Sequence, residues 1–302
     1  MLMAYGVVIA DGCPASIDWE SAKEISRGIK YVCVNVDQPR VMANHVVRVD
    51  LHEPGLRVTG TRRAREWGEP MADYTNSVMI VDVRRQKTKD FLEEHRNNGT
   101  NMVFALNTSA WVPWTKPFNH KHGSLRNFLV SGGEVVSHAT KRCPMLVVFT
   151  NNVAKITDRL DDGQVPSVSV AHPSYDTEVI MRGGKAARPR RKQATPKLAP
   201  RTALGLSADG RWLYALVVDG RQKGYSEGAD MSDLVRVLKA AGAVDAVNMD
   251  GGGSSTIAFW DGKGTVIPNH HDAKRENYRA VAVNMGFYYE NAPVKNRAGR
   301  SR

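Results

Sequence analysis

Asp250 ends an apolar run, Val244 to Met249, and is followed by Gly251-Gly252-Gly253-Ser254-Ser255-Thr256 before Ile257 to Phe259 resume the apolar pattern. A strand that stops on an acid and turns through consecutive glycines brings bare backbone N–H groups close to a ligand, because glycine has no Cβ and tolerates positive φ. Successive N–H groups in such a turn form an anion-binding concavity. Ser254, Ser255 and Thr256 add hydroxyl donors and acceptors. A phosphate-binding loop would need a lysine after the glycines, and a nucleophile elbow would need G-x-S-x-G; neither is present.

Two further segments share this grammar. Met102 to Leu106 reads as a buried strand ending on Asn107-Thr108-Ser109-Ala110-Trp111, where Asn107 can hydrogen-bond a ligand and Trp111 or Trp114 can stack on a sugar face. Arg211 to Val218 ends on Asp219-Gly220-Arg221. If these were ends of neighbouring strands in one sheet, Asn107, Asp219 and Asp250 would share a cleft.

The positioning elements follow from periodicity. Tyr31 to Val36 and His45 to Leu51 read as strands, Ser77 to Val83 as another, and Thr88 to Asn97 as a short helix with Thr88 placed to cap it. Phe128 to Val136 reads as a hairpin and Met145 to Thr150 as a strand, whereas Asp158 to Pro173 reads as loop. Ala203 to Ser207 and Arg211 to Val218 flank Ala208-Asp209-Gly210, a hairpin signature. Asp230 caps a helix, Met231 to Ala241, with Leu234, Val235, Leu238 and Ala241 on one face and Gly242 as its stop. A last strand is expected over Ala280 to Tyr288. The fold class expected is α+β, a large, mostly antiparallel or mixed β-sheet core with a few packed helices. Residues 1–290 are expected to form a single domain, with a β-rich part at 1–75 and the motif-bearing core at 75–288, followed by a basic, disordered tail at 291–302.

The net charge of +11 is concentrated in Arg182 to Arg201 and in Lys295 to Arg302. Such runs are commonly solvated, and otherwise attract an anionic partner. No RNP, zinc or helix-turn-helix signature is present, so nucleic acid is an unlikely partner. The three cysteines, Cys13, Cys33 and Cys143, show neither metal-ligand spacing nor a disulfide framework. His270 and His271 beside Asp272 are read as solvated loop histidines, and no metal or other cofactor is expected. No apolar run reaches the length of a membrane span, and no intact signal peptide is visible at the N-terminus.

Arg201 to Leu206 (R-T-A-L-G-L), Val217 to Gly228 (V-V-D-G-R-x-x-G-Y-S-x-G) and Asn248 to Thr256 (N-M-D-G-G-G-S-S-T) resemble the phosphodiester glycosidase family, with weaker matches at Phe104 to Trp111 and at Arg279. The resemblance covers roughly residues 75 to 288. It implies hydrolysis of a sugar-1-phosphodiester, such as an α-N-acetylglucosamine-1-phosphodiester, to free sugar and phosphomonoester by a protein exported or periplasmic by family habit. It points to Asp250 and Asp219 as catalytic carboxylates, with the division of roles open. It places Asn107, Arg201, Thr202, Gly220, Arg221, Ser226, Asn248, Gly251, Gly252, Gly253, Ser254, Ser255 and Arg279 around an anionic sugar-phosphodiester or glycan. Thr108 and Ser109 stand where the family usually has glycines, which predicts a narrower or more polar pocket floor. A carbohydrate-binding protein without turnover is the alternative.

Overall fold

The long β-branched runs of the sequence pair into a nine-stranded sheet in the computed structural model, which describes residues 7–10, 12–72, 79–114, 119–138, 144–160, 164, 166–171, 179–187, 197–271 and 278–290. The strand order is Val7–Ala10, Ile29–Val36, Met42–Asp50, Trp212–Val218, Arg201–Leu206, Asp245–Asn248, Val179–Arg182 and Lys185–Ala186, with Lys23–Ser26 pairing onto Ile29–Val36. The pairings are antiparallel except that of Val7–Ala10 with Ile29–Val36. Strands from the N-terminal part and from the motif-bearing core therefore share one sheet.

Alternation along Trp212–Val218 shows how this sheet is used. Leu213, Ala215 and Val217 face one core and Tyr214, Leu216 and Val218 another, all buried. The first core is closed by two five-stranded sheets. One has the order Thr265–Val266, Ile257–Trp260, Asn101–Asn107, Asn284–Tyr289, Leu56–Gly60. The other runs Glu134–Ser137, Leu129–Ser131, Val168–Ala171, Met145–Val148, Ala154–Thr157. Phe104, Phe259 and Phe287 stack at its centre, with ring centroids 5.5 and 5.2 Å apart. Complete burial of each such side chain stabilises the fold by roughly 1.5–3 kcal/mol.

The second core is closed by helix α2, Met231–Ala241, whose Leu234, Val237, Leu238 and Ala241 pack on Val46, Ala203, Tyr214 and Ala246. It begins with a capping box: the Asp230 carboxylate accepts from the N–H groups of Ser232 (2.8 Å) and Asp233 (3.0 Å), and Asp233 accepts from the Asp230 N–H (2.9 Å). Gly242 ends it with φ of 108°. Helix α1, Thr88–Asn97, covers the outer face of the first five-stranded sheet with Phe91 and Leu92.

Two expectations are corrected. Thr88 is the first helical residue of α1 and donates to the Asn284 side chain (2.7 Å), while Lys87 holds the cap position without a side-chain bond. The predicted loop 158–173 contains the Val168–Ala171 strand, because Val168 and Val170 reach the core while the Ser169 hydroxyl accepts from the Val130 N–H across the sheet. Part of the Ser77 to Val83 prediction, the basic run at 188–196, Cys143 and the tail at 291–302 lie outside the described residues. No helix is long and apolar enough to cross a membrane among the described residues.

Close packing of α2 depends on a missing side chain. A Cβ at Gly205 would lie 2.7 Å from the Ala243 Cβ and 3.3 Å from the Asp245 carbonyl oxygen. Gly205→Ala is expected to destabilise the protein by about 1–3 kcal/mol, seen as a lower urea midpoint at unchanged m-value.

Candidate functional site

The strands Trp212–Val218 and Asp245–Asn248 flank Arg201–Leu206 and run antiparallel to it, so they run parallel to each other and end at one edge of the large sheet. Asp219 and Asp250 follow those ends. Asn107 arrives from the first five-stranded sheet, so the expectation of neighbouring strands in one sheet is corrected: the three ends meet where two sheets abut. Asn107 is fully buried, and its side-chain amide donates to the Asp250 carbonyl oxygen (2.6 Å). Its side-chain oxygen accepts from the Thr202 hydroxyl (2.8 Å) and the Thr256 N–H (2.9 Å). The Asp250 N–H donates to the Thr108 carbonyl (2.7 Å), fixing the start of the glycine turn.

Each glycine of that turn has its own close neighbour. A Cβ at Gly251 would lie 2.7 Å from the Pro200 oxygen, one at Gly252 3.0 Å from the Arg221 guanidinium, and one at Gly253 2.9 Å from the Arg279 guanidinium. Two arginines thus lie against the turn where bare backbone permits them. Arg221 has φ of 60°, a left-handed conformation unusual for a residue with a side chain and often found at functional sites. Arg279 also lies 5.0 Å from the ring of Trp114, which is 51% exposed and packs edge-on against buried Trp111 (5.1 Å).

Asp250 lies within this frame. Its carboxyl is buried, and its Oδ2 accepts no hydrogen bond from the described residues. Burial pushes its pKa up to about 6 against the opposing pull of the Ser254 hydroxyl, the Arg279 charge and the Gly251 N–H. The hydroxyls of Ser255 and Thr256 are buried nearby without hydrogen-bond partners among the described residues. A carboxyl that changes charge near pH 6, with one oxygen open, suits proton transfer.

Asp219 is the opposite case. Its Oδ2 accepts from the Tyr225 hydroxyl (3.0 Å) and pairs with His45 Nε2 (3.0 Å), and its Oδ1 accepts from the His270 N–H (2.7 Å) and the Asn269 side chain (3.2 Å). Burial opposes its charge, but His45 and these bonds outweigh burial and hold the carboxyl below its ordinary range. His45 is correspondingly raised: burial disfavours its cation, and Tyr31, Cys33 and Asp219 together overcome that. The Tyr31 hydroxyl lies 2.8 Å from His45 Nδ1, and burial raises its own pKa to about 12.

Other predicted residues serve as scaffold. Arg201 donates to the carbonyls of Ala229 (3.1 Å) and Lys197 (2.7 Å). Ser226 donates to the Asp219 carbonyl (2.7 Å) and accepts from the Ala43 N–H (3.1 Å). Gly220 is pressed on Pro200, where a Cβ would lie 2.7 Å from its nitrogen. Thr202 is engaged by Asn107, and Asn248 is buried with its side-chain oxygen unpartnered. Thr108 and Ser109 do not furnish the pocket floor as expected: their hydroxyls bond to the Val283 carbonyl (3.4 Å) and the Ala171 N–H (3.0 Å), tying the sheets together.

Sequence reading missed His45, Tyr31, Tyr225 and Asn269. A lone histidine in a β-branched strand was the available signal for His45; Asn269 has none beyond its place after Pro268. The expectation of solvated histidines is also corrected. His271 is buried against Tyr278 (5.3 Å), and the His270 backbone holds Asp219, because the 269–271 loop is folded back onto the site. Asp272 lies outside the described residues. No group of three or more His, Cys, Asp or Glu side chains is arranged to hold a metal ion among the described residues.

The family model described as "Phosphodiester glycosidase" matches residues 100–288, more than half of the chain and all of the glycine-turn geometry above. The chain belongs to the phosphodiester glycosidase family. No curated protein matches it significantly. Among solved structures, a hypothetical protein from Synechocystis superposes with a TM-score of 0.59 at 12% identity, covering 88% of this chain. The chain spans 63% of that protein's length. The catalytic domain of zebrafish N-acetylglucosamine-1-phosphodiester α-N-acetylglucosaminidase, auto-inhibited by its pro-peptide, gives 0.59 at 16% identity, covering 91% of this chain and 87% of that one. A putative exported protein of Burkholderia pseudomallei gives 0.53 at 13%, covering 82% and 74%. At these identities the likeness is one of fold. The first of these structures and the zebrafish domain cover enough of this chain to extend it well upstream of residue 100.

The raised pKa of Asp250 has a thermodynamic consequence. Its folded pKa lies above its ordinary value of 3.8, so the folded state holds the proton more tightly than the unfolded state. Stability therefore falls as pH rises from about 4 to about 6, and the penalty is fully present above that. Asp250→Asn removes it. The variant is expected to melt higher than wild type at pH 8, by the equivalent of about 3 kcal/mol at most, with the difference gone at pH 4. Calorimetry across that range checks it.

Proposed function

We propose that this glycosidase-family protein hydrolyses a sugar-1-phosphodiester, with α-N-acetylglucosamine-1-phosphodiesters as the leading substrate class, and releases free sugar and a phosphomonoester. The observation that carries the reading is the open Oδ2 of buried Asp250 beside a glycine turn that two guanidiniums line.

In this reading the phosphodiester's single negative charge sits between Arg221 and Arg279 and accepts from the backbone of the turn, an electrostatic site that needs no reorganisation when charge moves onto the leaving group. Trp114 offers an exposed ring face to the sugar. The anomeric C1–O bond breaks with its electron pair leaving on the phosphate oxygen, and positive character builds on the sugar ring. Phosphate is a weakly basic leaving group, so no strong acid is needed. Ionised Asp250 takes a proton from water as the water oxygen bonds to C1, or stabilises the ring cation until water arrives. Asp219 is a positioning residue: ionised and saturated with hydrogen bonds, it fixes Tyr225 and the 269–271 loop rather than reacting.

The test is NMR product analysis on α-N-acetylglucosamine-1-phosphodiesters. Wild type is expected to yield sugar and phosphomonoester, with kcat/KM rising as pH increases through about 6 as Asp250 ionises. Asp250→Asn is expected to lose about 10²- to 10⁴-fold in kcat with the fold retained. Equal turnover by both proteins would remove Asp250 from the mechanism, and sugar binding without product would favour a binding protein.

Trp114→Ala is expected to raise KM by up to about tenfold while leaving kcat within about twofold, the signature of a lost stacking contact. Steady-state kinetics on the same substrates reads this directly.

A further inference from the structure

A second basic feature lies outside the glycine turn. Thr61 to Glu66, Arg84 to Gln86, His95, Lys121 and His122 are among the residues lining a cleft of about 1000 Å³ between helix α1 and the small two-stranded sheet, Val83–Arg84 with His122–Gly123. Arg62, Arg65 and Arg84 are exposed there, and among the described residues their guanidiniums have no ion-pair or hydrogen-bond partner. The two carboxylates of the cleft are already engaged, Glu66 by His122 (3.3 Å) and Glu94 by the Gln86 amide (2.6 Å). Arg62, Arg63, Arg65, Arg84, Arg85 and Lys121 outnumber the two carboxylates of the lining, Glu66 and Glu94, and give the wall a net positive potential that an anion would relieve. Burial, and after it the Arg62 charge, hold the His95 pKa below its ordinary value.

The cleft is connected to the catalytic edge. Arg85, buried in its wall, donates to the Ala280 carbonyl (2.7 Å), next to Arg279, and lies 4.9 Å from the Trp111 ring. Trp111 packs on Trp114, and Trp114 on Arg279. The side chains between the two sites are therefore packed indole and guanidinium, with Trp111 and Arg85 buried, so this joint fixes the cleft relative to the catalytic edge. The open surfaces lie at its two ends, Trp114 and the cleft arginines. A stretched single-stranded nucleic acid would need a row of open aromatic faces. Phe91, which lines the cleft, is buried, and Trp67 next to Glu66 is covered by the Arg63 guanidinium at 3.8 Å.

We infer that this cleft is a second anion-binding site that holds phosphate groups of a polymeric, phosphate-bearing glycan while one sugar-phosphodiester unit of the same chain lies over Asp250. The inference rests on the proposed reaction for the catalytic half and on the cleft arginines for the other. It makes the natural substrate a polyanion, longer than the monomeric diester the catalytic turn alone can hold.

Two measurements test it on the full chain. The Arg62→Ala/Arg65→Ala/Arg84→Ala triple variant is expected to lose about tenfold in kcat/KM on a synthetic oligomer of sugar-1-phosphodiester units at low salt and to be unchanged on the monomeric diester, with the difference closing at high salt. Equal loss on both substrates, or on neither, overturns the inference. Binding of fluorescent long-chain polyphosphate reads the cleft independently of turnover. Wild type is expected to bind with a log–log salt slope of about −2, lost in the triple variant and regained in part with lysines at the three positions. If no substrate is turned over, the catalytic reading fails while this binding still decides the cleft. Unchanged polyphosphate binding by the triple variant overturns the site. Equally tight binding of a mixed-sequence oligonucleotide through the same three arginines overturns the glycan assignment.

Discussion

The amide of Asn107 joins segments that are 95, 143 and 149 residues away in sequence: Thr202, Asp250 and Thr256. The residue is inaccessible to water, so each of those groups would be a buried, unsatisfied donor or acceptor without it, a cost of about 1–3 kcal/mol apiece. The joint also fixes geometry. It sets where the first five-stranded sheet meets the edge of the large sheet, and so where the glycine turn begins. The positions of Asp250, Gly252 against Arg221 and Gly253 against Arg279 all follow from that register. A residue that resembles a ligand-binding asparagine in sequence is better understood as the bolt of the site.

Given that frame, the two carboxylates diverge through their surroundings. Asp219 receives donors on both oxygens and a histidine partner, so its charge is favoured despite burial. Asp250 receives little help and is pushed the other way. Two similar acids at the ends of parallel strands are thereby given unlike roles, one fixed in charge and one able to exchange a proton near neutrality. The buried Tyr31–His45–Asp219–Tyr225 chain is the longer device, since it carries order from the middle of the large sheet to the loop that covers the site.

Much of the architecture was legible in the sequence where a local signal and the tertiary environment agree. Helix α2 keeps its bounds because the Asp230 box and Gly242 act within a few residues, and the hairpin around Asp209-Gly210 is likewise local. What failed to read was set at long range. Val168–Ala171 lies in a polar segment and is a strand because the third sheet supplies partners. Thr88 has the composition of a cap but finds Asn284, which comes 196 residues later. Of the site, Arg279 came only with the family resemblance, whereas the Asp250 turn and the Asp219-Gly220-Arg221 strand end were visible in residue type and spacing. His45, Tyr31 and Asn269 were not, since nothing in an apolar strand or a short loop announces which buried polar group it will meet.

The open carboxyl of Asp250, the left-handed backbone of Arg221 and the exposed ring of Trp114 share one property: each is locally unfavourable without a ligand. A buried acid with one empty acceptor, a strained backbone at a guanidinium and an apolar face in water persist only where the surrounding structure over-determines them. Here the over-determination is explicit. Pro200 is wedged between Gly220 and Gly251, Asn107 pins both sides of the turn, and three phenylalanines fill the core beneath. An anion between Arg221 and Arg279, with a sugar on Trp114, would relieve two of the three at once. In the proposed reaction the third, the open oxygen of Asp250, would be the acceptor for the proton of the attacking water.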